Sequence, residues 1–329
     1  MKAIVYTHYG SPNVLQVEEV AKPVPRDDEV LIKVYATAAN AADWHLLRGK
    51  PFPVRLVVGG LLKPKHHILG ADIAGRVEAV GKYVTQFQPG DEVFGNLSQS
   101  GWGGFAEYVC AREDALVLKP ANMTFEEVAA VPTAALTALQ ALRDKGQIEA
   151  GQKVLIHGAS GGVGMFAVQL AKAFGAEVTA VCSTRSVDMV RSLGADHVID
   201  YTQEDFTKNG QRYDLILAAN GYQPIWAYQH ALRSEGRYIM TGGAMAQLYQ
   251  AMLLGPVMSM SGRKKMGNFL MKPNTKDLVC MKELLEGGKV ISVIDRRYPL
   301  AETAEAIRYV EAGHARGKVV ITVDQNGNT

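Results

Sequence analysis

A glycine-rich turn constrains the fold of this chain more than any other feature of its sequence. The turn, Gly158–Gly164, reads GASGGVG; it follows the apolar run Lys153–His157 and opens the amphipathic segment Val163–Phe174. Glycines in this context let the backbone turn sharply between a strand and a helix and come close to a pyrophosphate. The amides and the positive dipole end at the start of the helix would stabilise that anion. Four residues of the turn are predicted to contact a dinucleotide: Ser160, Gly161, Gly162 and Val163.

Strand and helix patterns alternate on both sides of this turn. Such alternation predicts a parallel sheet covered by helices on both faces, with right-handed crossovers, and hence a doubly wound architecture. Earlier, the Ala-rich stretch 124–142 is helical in pattern, with a break at Pro132 and a capping box from Thr124 to Glu127. The predicted strands are 153–157, 177–182, 197–199, 213–218, 237–241, 290–294 and 318–323; the predicted helices are 163–174, 187–193, 225–232, 277–285 and 301–312.

Two further stretches differ from this pattern. Residues 1–122 are rich in short β-branched runs separated by turn signals such as Pro89-Gly90-Asp91, which favours a small barrel or sandwich. Residues 244–272 are rich in Met and Gly. That segment could form a lid or a contact between subunits, but we expect loosely packed structure.

Bulk properties exclude several classes of protein. A length of 329 residues suits two domains, and a net charge of +2 without a long basic block argues against nucleic-acid binding. The apolar stretch Leu56–Leu62 is far shorter than the ~20 residues of a membrane span, so no membrane partner is expected. Three widely spaced cysteines favour a reducing compartment, and the N-terminus lacks the pattern of a leader. We therefore expect a cytoplasmic protein.

The choice of cofactor depends on the end of the next strand. NAD-binding sheets place an acid there to bind the ribose 2′-hydroxyl, but this chain has Ser183, Thr184 and Arg185. Arg185 could pair with a 2′-phosphate, and the two hydroxyls could donate to it. The alternative is a solvated arginine that caps the following helix. These residues predict NADPH rather than NADH.

The chain resembles a known family, the medium-chain dehydrogenase/reductase superfamily, and within it the zinc-independent quinone oxidoreductase branch. The likeness runs nearly end to end and rests on these segments besides the glycine turn: Leu69–Gly75 (LGADIAG), Pro89–Val93 (PGDEV), Leu136–Ala138 (LTA), Leu193–Asp196 (LGAD), Asp200-Tyr201 and Gly313–Lys318 (GHARGK). The resemblance implies a GroES-like β-rich catalytic domain built from both chain ends, 1–122 and 292–329, and a Rossmann domain, 123–291. A homodimer is also expected.

The resemblance also assigns roles to individual residues. Tyr201 would lie near the adenosine 2′-phosphate, Thr137 near the nicotinamide, and Asn220 and Gly242 near the cofactor at two strand ends. Local backbone capping is the alternative for Thr137 and Asn220. In the other domain, the turn His314-Ala315-Arg316 would close over the cofactor, and Asn40 and Asp43 would line the cleft beside the nicotinamide.

The zinc-dependent members of the superfamily hold a catalytic zinc with two Cys and one His. Here the first ligand position carries Asn40 and the histidine position carries Ala71, neither of which can replace a thiolate or an imidazole, so no metal is expected. Without a Lewis acid to stabilise an alkoxide, a better hydride acceptor is expected, namely a quinone or an α,β-unsaturated carbonyl. The proton could come from solvent, a tyrosine, His45 or Asp43.

Three alternatives to this reductase remain open at this stage. The chain could bind NADPH with little turnover, as a redox-sensing or structural protein. It could also be a zinc-less reductase similar to alcohol dehydrogenases. A zinc alcohol dehydrogenase is disfavoured by Asn40 and Ala71.

Overall fold

The computed structural model describes residues 1–260 and 262–323 and divides the chain into two compact units. The first unit contains Met1–Thr133, Pro273–Glu286 and the chain from Ser292 onward, and the second contains Ala134–Lys272 and Gly287–Ile291. The end of the predicted catalytic segment, residues 324–329, lies outside the described residues.

The strands and helices are numbered in chain order. The strands are β1 Lys2–Val5, β2 Gln16–Glu19, β3 Glu29–Ala39, β4 Asp72–Val80, β5 Glu92–Asn96, β6 Tyr108–Arg112, β7 Leu116–Leu118, β8 Lys153–His157, β9 Glu177–Cys182, β10 His197–Asp200, β11 Tyr213–Ala218, β12 Leu232–Met240, β13 Lys265–Asn268, β14 Ile294–Pro299 and β15 Lys318–Thr322. The α-helices are α1 Ala41–Arg48, α2 Phe125–Ala129, α3 Pro132–Gln140, α4 Gly162–Ala173, α5 Val187–Ser192, α6 Ile225–Ala231, α7 Met245–Met260, α8 Thr275–Glu286 and α9 Thr303–Glu311.

The first unit is built on a largely antiparallel sheet of order β14-β15-β3-β4-β5-β7, with β6 paired to β3. The strand β3 is central because it pairs with β15, which comes from the far end of the sequence. The core between these strands includes Ile32, Ile73 and Phe105, all fully buried. Both ends of the chain therefore contribute to one β-rich domain, which confirms the predicted GroES-like architecture.

The second unit holds a parallel sheet of order β10-β9-β8-β11-β12-β13. In sequence order this is 3-2-1-4-5-6, the order of a doubly wound dinucleotide fold. Its strands are almost continuously apolar because helices cover both faces. The predicted Rossmann domain is confirmed.

Local signals account for most of the element ends. The side chain of Thr124 accepts a hydrogen bond from the Glu127 amide at 3.2 Å, and the Glu127 carboxylate accepts one from the Thr124 amide at 2.8 Å, so the predicted capping box is present. Pro132 begins α3, as the break predicted there requires. The strands predicted at 153–157, 177–182 and 213–218 have the observed bounds.

Two predictions of local structure are wrong. A strand was expected at 290–294, but β14 begins only at Ile294, since Val290 and Ile291 belong to the second unit. The segment 244–272 was expected to be loosely packed, yet it contains α7 and β13. The helix continues through Pro256, and Gly255 allows a close approach to β13: a Cβ there would lie 2.8 Å from the Met266 carbonyl oxygen.

The two units differ from the predicted domain boundaries in two segments. The helix α2 belongs to the first unit because Phe125 stacks on Tyr35 with ring centroids 4.5 Å apart, and Glu126 pairs with Arg297. The helix α8 joins the same unit, where Thr275 donates to the Asp114 carbonyl at 2.6 Å. Among the described residues, no helix is long and apolar enough to cross a membrane.

Candidate functional site

The carboxyl edge of the parallel sheet brings most of the predicted cofactor residues together. Because Cys182 pairs with Asp200, His157 with Ala218 and Ala218 with Met240, the strand ends lie side by side. Ligands bind at this edge in doubly wound sheets, next to the point where the strand order reverses. The residues that follow these ends are Ser160–Val163, Ser183–Arg185, Tyr201, Asn220 and Gly242.

The glycine turn has the geometry that a phosphate site needs. Gly158 has a φ of 81°, and a Cβ on it would lie 2.7 Å from the Asn220 backbone nitrogen, so only glycine fits. Gly161 is the N-cap of α4, has no side-chain cap, and would place a Cβ no closer than 3.6 Å to any neighbour. The first turn of α4 therefore begins without a side-chain cap on its amides. A dinucleotide pyrophosphate fits these residues.

The residues predicted to bind a 2′-phosphate are not equivalent. Arg185 is exposed and forms no ion pair within the described part of the chain, and Tyr201 is also exposed. The Thr184 hydroxyl, however, donates to Asp200, so it is not available to donate to a phosphate. Sequence reasoning missed Asp200 because its proximity follows from the pairing of β10 with β9.

Other predicted cofactor residues occupy defined positions. Thr137 is buried on α3. The Asn220 side-chain oxygen accepts from the Gly221 amide at 2.9 Å, which is the local capping that the sequence left open. Gly242 follows β12, where a Cβ would lie 2.5 Å from the Ala219 carbonyl oxygen. His314, Ala315 and Arg316 belong to the first unit, and the Arg316 amide donates to Asp295 at 2.8 Å.

The three catalytic candidates lie at the start of α1 in the first unit. Asn40 is its N-cap, and the Asn40 amide donates to the Asp43 carboxylate at 2.7 Å. The other Asp43 oxygen accepts from the Gly70 amide at 3.1 Å, and the residue is fully buried. Burial raises the pKa of Asp43 to about 7, against the effect of these two hydrogen bonds. Asp43 therefore caps the helix in this structure and does not face solvent.

His45 has a single defined hydrogen bond. Its Nδ1 lies 2.8 Å from the Lys50 carbonyl oxygen, which can only accept, so Nδ1 carries the proton. Burial lowers the pKa of His45, which favours the neutral ring at neutral pH. In that form Nε2 accepts a hydrogen bond and has no proton to deliver. This geometry favours solvent as the source of the proton.

The buried polar residues around Asn40 were missed in the sequence. Lys318, Asp72, Asn96 and Asn40 form one connected network beneath the site, and all four are buried. Lys318 is the last residue of the GHARGK segment, but nothing in that motif indicates that its ammonium turns inward. Among the described residues there is no group of three or more His, Cys, Asp or Glu that could hold a metal ion.

Comparison with known proteins agrees with this geometry. Residues 26–121 match the alcohol dehydrogenase GroES-like domain, and residues 193–321 match a family described as zinc-binding dehydrogenase. A chloroplast envelope quinone oxidoreductase homolog of Arabidopsis thaliana is 36% identical, over 98% of each chain. The chain belongs to the quinone oxidoreductase-like branch of the medium-chain dehydrogenase/reductase superfamily. It is an oxidoreductase.

Two further comparisons support the assignment to this family. An NADPH-dependent alkenal/one oxidoreductase of Arabidopsis thaliana, chloroplastic, is 35% identical over 98% of this chain and 79% of its own length. The solved structure of a quinone oxidoreductase from Coxiella burnetii superposes with a TM-score of 0.87 at 31% identity, and covers 98% of this chain and 99% of its own. The likeness extends over both units.

Two glycine variants test the phosphate site. We expect Gly158→Ala to lower the melting temperature, because a positive φ and a clash with Asn220 together cost about 1–3 kcal/mol. Gly161→Ala has room for its methyl group and should melt near the wild-type temperature, yet bind NADPH and NADH at least about tenfold more weakly, because the backbone must approach the pyrophosphate. Thermal melts and fluorescence titrations measure both effects. Unchanged dinucleotide affinity in Gly161→Ala would contradict a phosphate site at this turn.

Proposed function

We propose that this protein is a zinc-independent, NADPH-dependent oxidoreductase that delivers a hydride to a quinone or an α,β-unsaturated carbonyl compound. The observation that carries the proposal is the donor set at the position of the family's catalytic zinc. Asn40 stands there with both amide hydrogens and its oxygen engaged by protein groups, and Ala71 offers no ligand atom. Names of relatives as quinone and alkenal/one oxidoreductases support the same substrate classes.

The chain contributes binding, orientation and exclusion of water. The amides at the start of α4 hold the pyrophosphate, and Arg185 with Ser183 and Tyr201 binds the 2′-phosphate. When bound, NADPH supplies the hydride. The Asn40 amide is bonded to protein groups and Asp43 is buried at the start of α1, so neither is free to activate a substrate. Such a site suits acceptors that need little activation, and the proton then comes from solvent.

A comparison of substrates tests the proposed reaction. The enzyme should reduce 1,2- or 1,4-quinones or enones with a higher kcat/KM than it oxidises ethanol or a secondary alcohol, because alcohol oxidation needs an alkoxide to be stabilised. The loss of NADPH absorbance measures reduction, and its appearance measures oxidation. The activity should persist after dialysis against a chelator. A higher kcat/KM for an alcohol, or activity lost with a removable zinc, would contradict the proposal.

The preference for NADPH is tested by Arg185→Ala. NADPH differs from NADH only by the 2′-phosphate, and a charge-assisted hydrogen bond to it is worth about 1.5–3 kcal/mol. The variant should therefore bind NADPH roughly 10- to 150-fold more weakly and NADH nearly unchanged. Arg212→Ala, which removes another exposed arginine of the same unit, is the matched control. Calorimetric titration of both cofactors decides the point: equal losses, or wild-type preference for NADH, would overturn it.

We also propose that the protein is a homodimer formed through the exposed face of α7. In the described residues β13 is the edge strand of the sheet, and its outer side is covered by α7: the Met266 amide donates to the Ser259 hydroxyl at 2.8 Å, and that hydroxyl donates to the Met266 carbonyl at 3.1 Å. The helix α7 contains no charged residue, and five of its apolar side chains between positions 252 and 260 are exposed. These side chains are Met252, Leu253, Leu254, Val257 and Met260. A two-fold axis through this face would cover these side chains on both copies.

Light scattering with size-exclusion chromatography tests the dimer. Wild type should have twice the mass of the chain at micromolar concentration, and Leu253→Glu/Val257→Glu should be monomeric, because the buried charges would be unpaired. Leu62→Glu, on an exposed leucine of the first unit, is the control and should stay dimeric. A monomeric wild type, or an unchanged mass of the double variant, would contradict this interface.

A cytoplasmic location of the protein remains a prediction.

A further inference from the structure

Lys318 carries a buried ammonium that the proposed reaction does not use. It is the first residue of β15, directly after the turn 313–317, and its side chain is only 3% exposed. Nζ donates to Asn40 Oδ1 and lies 3.6 Å from Asp72 Oδ2. Burying an ammonium is costly unless it is paired, and even a good ion pair rarely stabilises a fold more than apolar residues would. Its inward position therefore calls for a role beyond stability.

Asp72 is the fixed point of this network. It is fully buried on β4, and its Oδ1 accepts from Asn96 Nδ2 at 3.0 Å, from the Thr133 amide at 2.9 Å and from the Thr133 hydroxyl at 2.6 Å. Its Oδ2 accepts from Asn40 Nδ2 at 3.0 Å. The side chain of Asp72 accepts four hydrogen bonds and lies beside the Lys318 ammonium. The carboxylate group thus has one orientation, and it determines where Asn40 and Lys318 point.

Asn40 is held in one of its two amide orientations. Nδ2 donates to the Ala38 carbonyl at 3.1 Å and to Asp72, and Oδ1 faces the Lys318 ammonium. Turning the amide by 180° would direct its NH₂ group at the ammonium and its oxygen at the carboxylate, so both contacts would become repulsive. Lys318 and Asp72 together therefore determine the orientation of Asn40, which is also the N-cap of α1.

We propose that Lys318 is a positioning residue for the reductase site: its ammonium, anchored on Asp72, fixes the Asn40 amide and ties the turn His314–Arg316 to the start of α1. The proposal rests on the proposed function, in which Asn40 lies beside the nicotinamide and the turn closes over the cofactor. The turn His314–Arg316 and the start of α1, which are both predicted to contact the cofactor, are then held in place by one buried charge pair. Loss of this pair would leave the segments present but imprecisely placed.

The test separates stability from positioning with three variants. Lys318→Met and Asp72→Asn each leave one buried charge unpaired and should lower the melting temperature by roughly 10 °C. The double variant Lys318→Met/Asp72→Asn removes both charges and should recover most of that loss. In it, Asn40 can turn to accept from the new amide at position 72. Its kcat for a quinone or enone should fall roughly 10- to 100-fold, while the NADPH Kd should change less than about threefold.

A surface pair provides the matched control. Lys22 and Glu78 form an ion pair with side chains 39% and 38% exposed, so Lys22→Met/Glu78→Gln removes the same two charges away from Asn40. It should keep the wild-type kcat and melting temperature. A Lys318→Met/Asp72→Asn double variant with recovered melting temperature and wild-type kcat would show that the buried pair only stabilises the fold, and would overturn the proposal.

A second readout does not depend on turnover. In ¹H–¹⁵N spectra the Asn40 side-chain amide, assigned with Asn40→Asp, should be one sharp, exchange-protected pair in wild type and lose that protection in Lys318→Met below its melting temperature. Identical signals in the two proteins would overturn the proposal even if the double variant is unstable. A wild type that turns over no quinone or enone contradicts the proposed function instead, and the Asn40 signals still decide whether Lys318 positions this side chain.

Discussion

The parallel pairing of β8 with β9 on one side and with β11 on the other is the constraint on which the second unit depends. It reverses the strand order at β8, so the strand carrying the glycine turn lies in the middle of the sheet and its neighbours end at the same edge. Position 158 must be glycine, because Asn220, which follows β11, lies so close that a Cβ at position 158 would clash with it. The proposed phosphate site is thus a consequence of close backbone approach, and the residues proposed to select the cofactor follow the neighbouring strand ends.

In the first unit a buried charge pair has the corresponding role. Asp72 on β4, Lys318 on β15 and Asn40 at the end of β3 meet because β3 pairs with both of the other strands. The antiparallel register places residues from positions 40, 72 and 318 side by side. The cost of burying two charges is offset by their mutual attraction and by their hydrogen bonds to Asn40, Asn96 and Thr133. An amide and an ammonium occupy the region to which the resemblance assigns the catalytic zinc of zinc-dependent members.

Much of the Rossmann unit could be predicted from the sequence, because its signals are local. Glycines stop helices, apolar runs mark buried strands, and Thr124 with Glu127 marks a helix start. The same local signals failed in residues 244–272, where a composition rich in Met and Gly favoured loose packing, but α7 forms there and packs on β13. Contacts between distant residues were also beyond a single sequence: the Thr184–Asp200 hydrogen bond and the inward turn of Lys318 depend on strand register. The motif GHARGK identified the right segment, but not which of its side chains is buried.

Hydride transfer from bound NADPH is the central claim, and a single-turnover measurement tests it most directly. The protein, loaded with one equivalent of NADPH or of NADPH deuterated at the transferred position, is mixed with a panel of quinones and enones, and the absorbance of the reduced cofactor is followed. We predict full oxidation by at least one member of the panel, with a slower rate for the deuterated cofactor. NADPH that stays bound and reduced with every acceptor would contradict the account and identify a protein that binds the cofactor without using it.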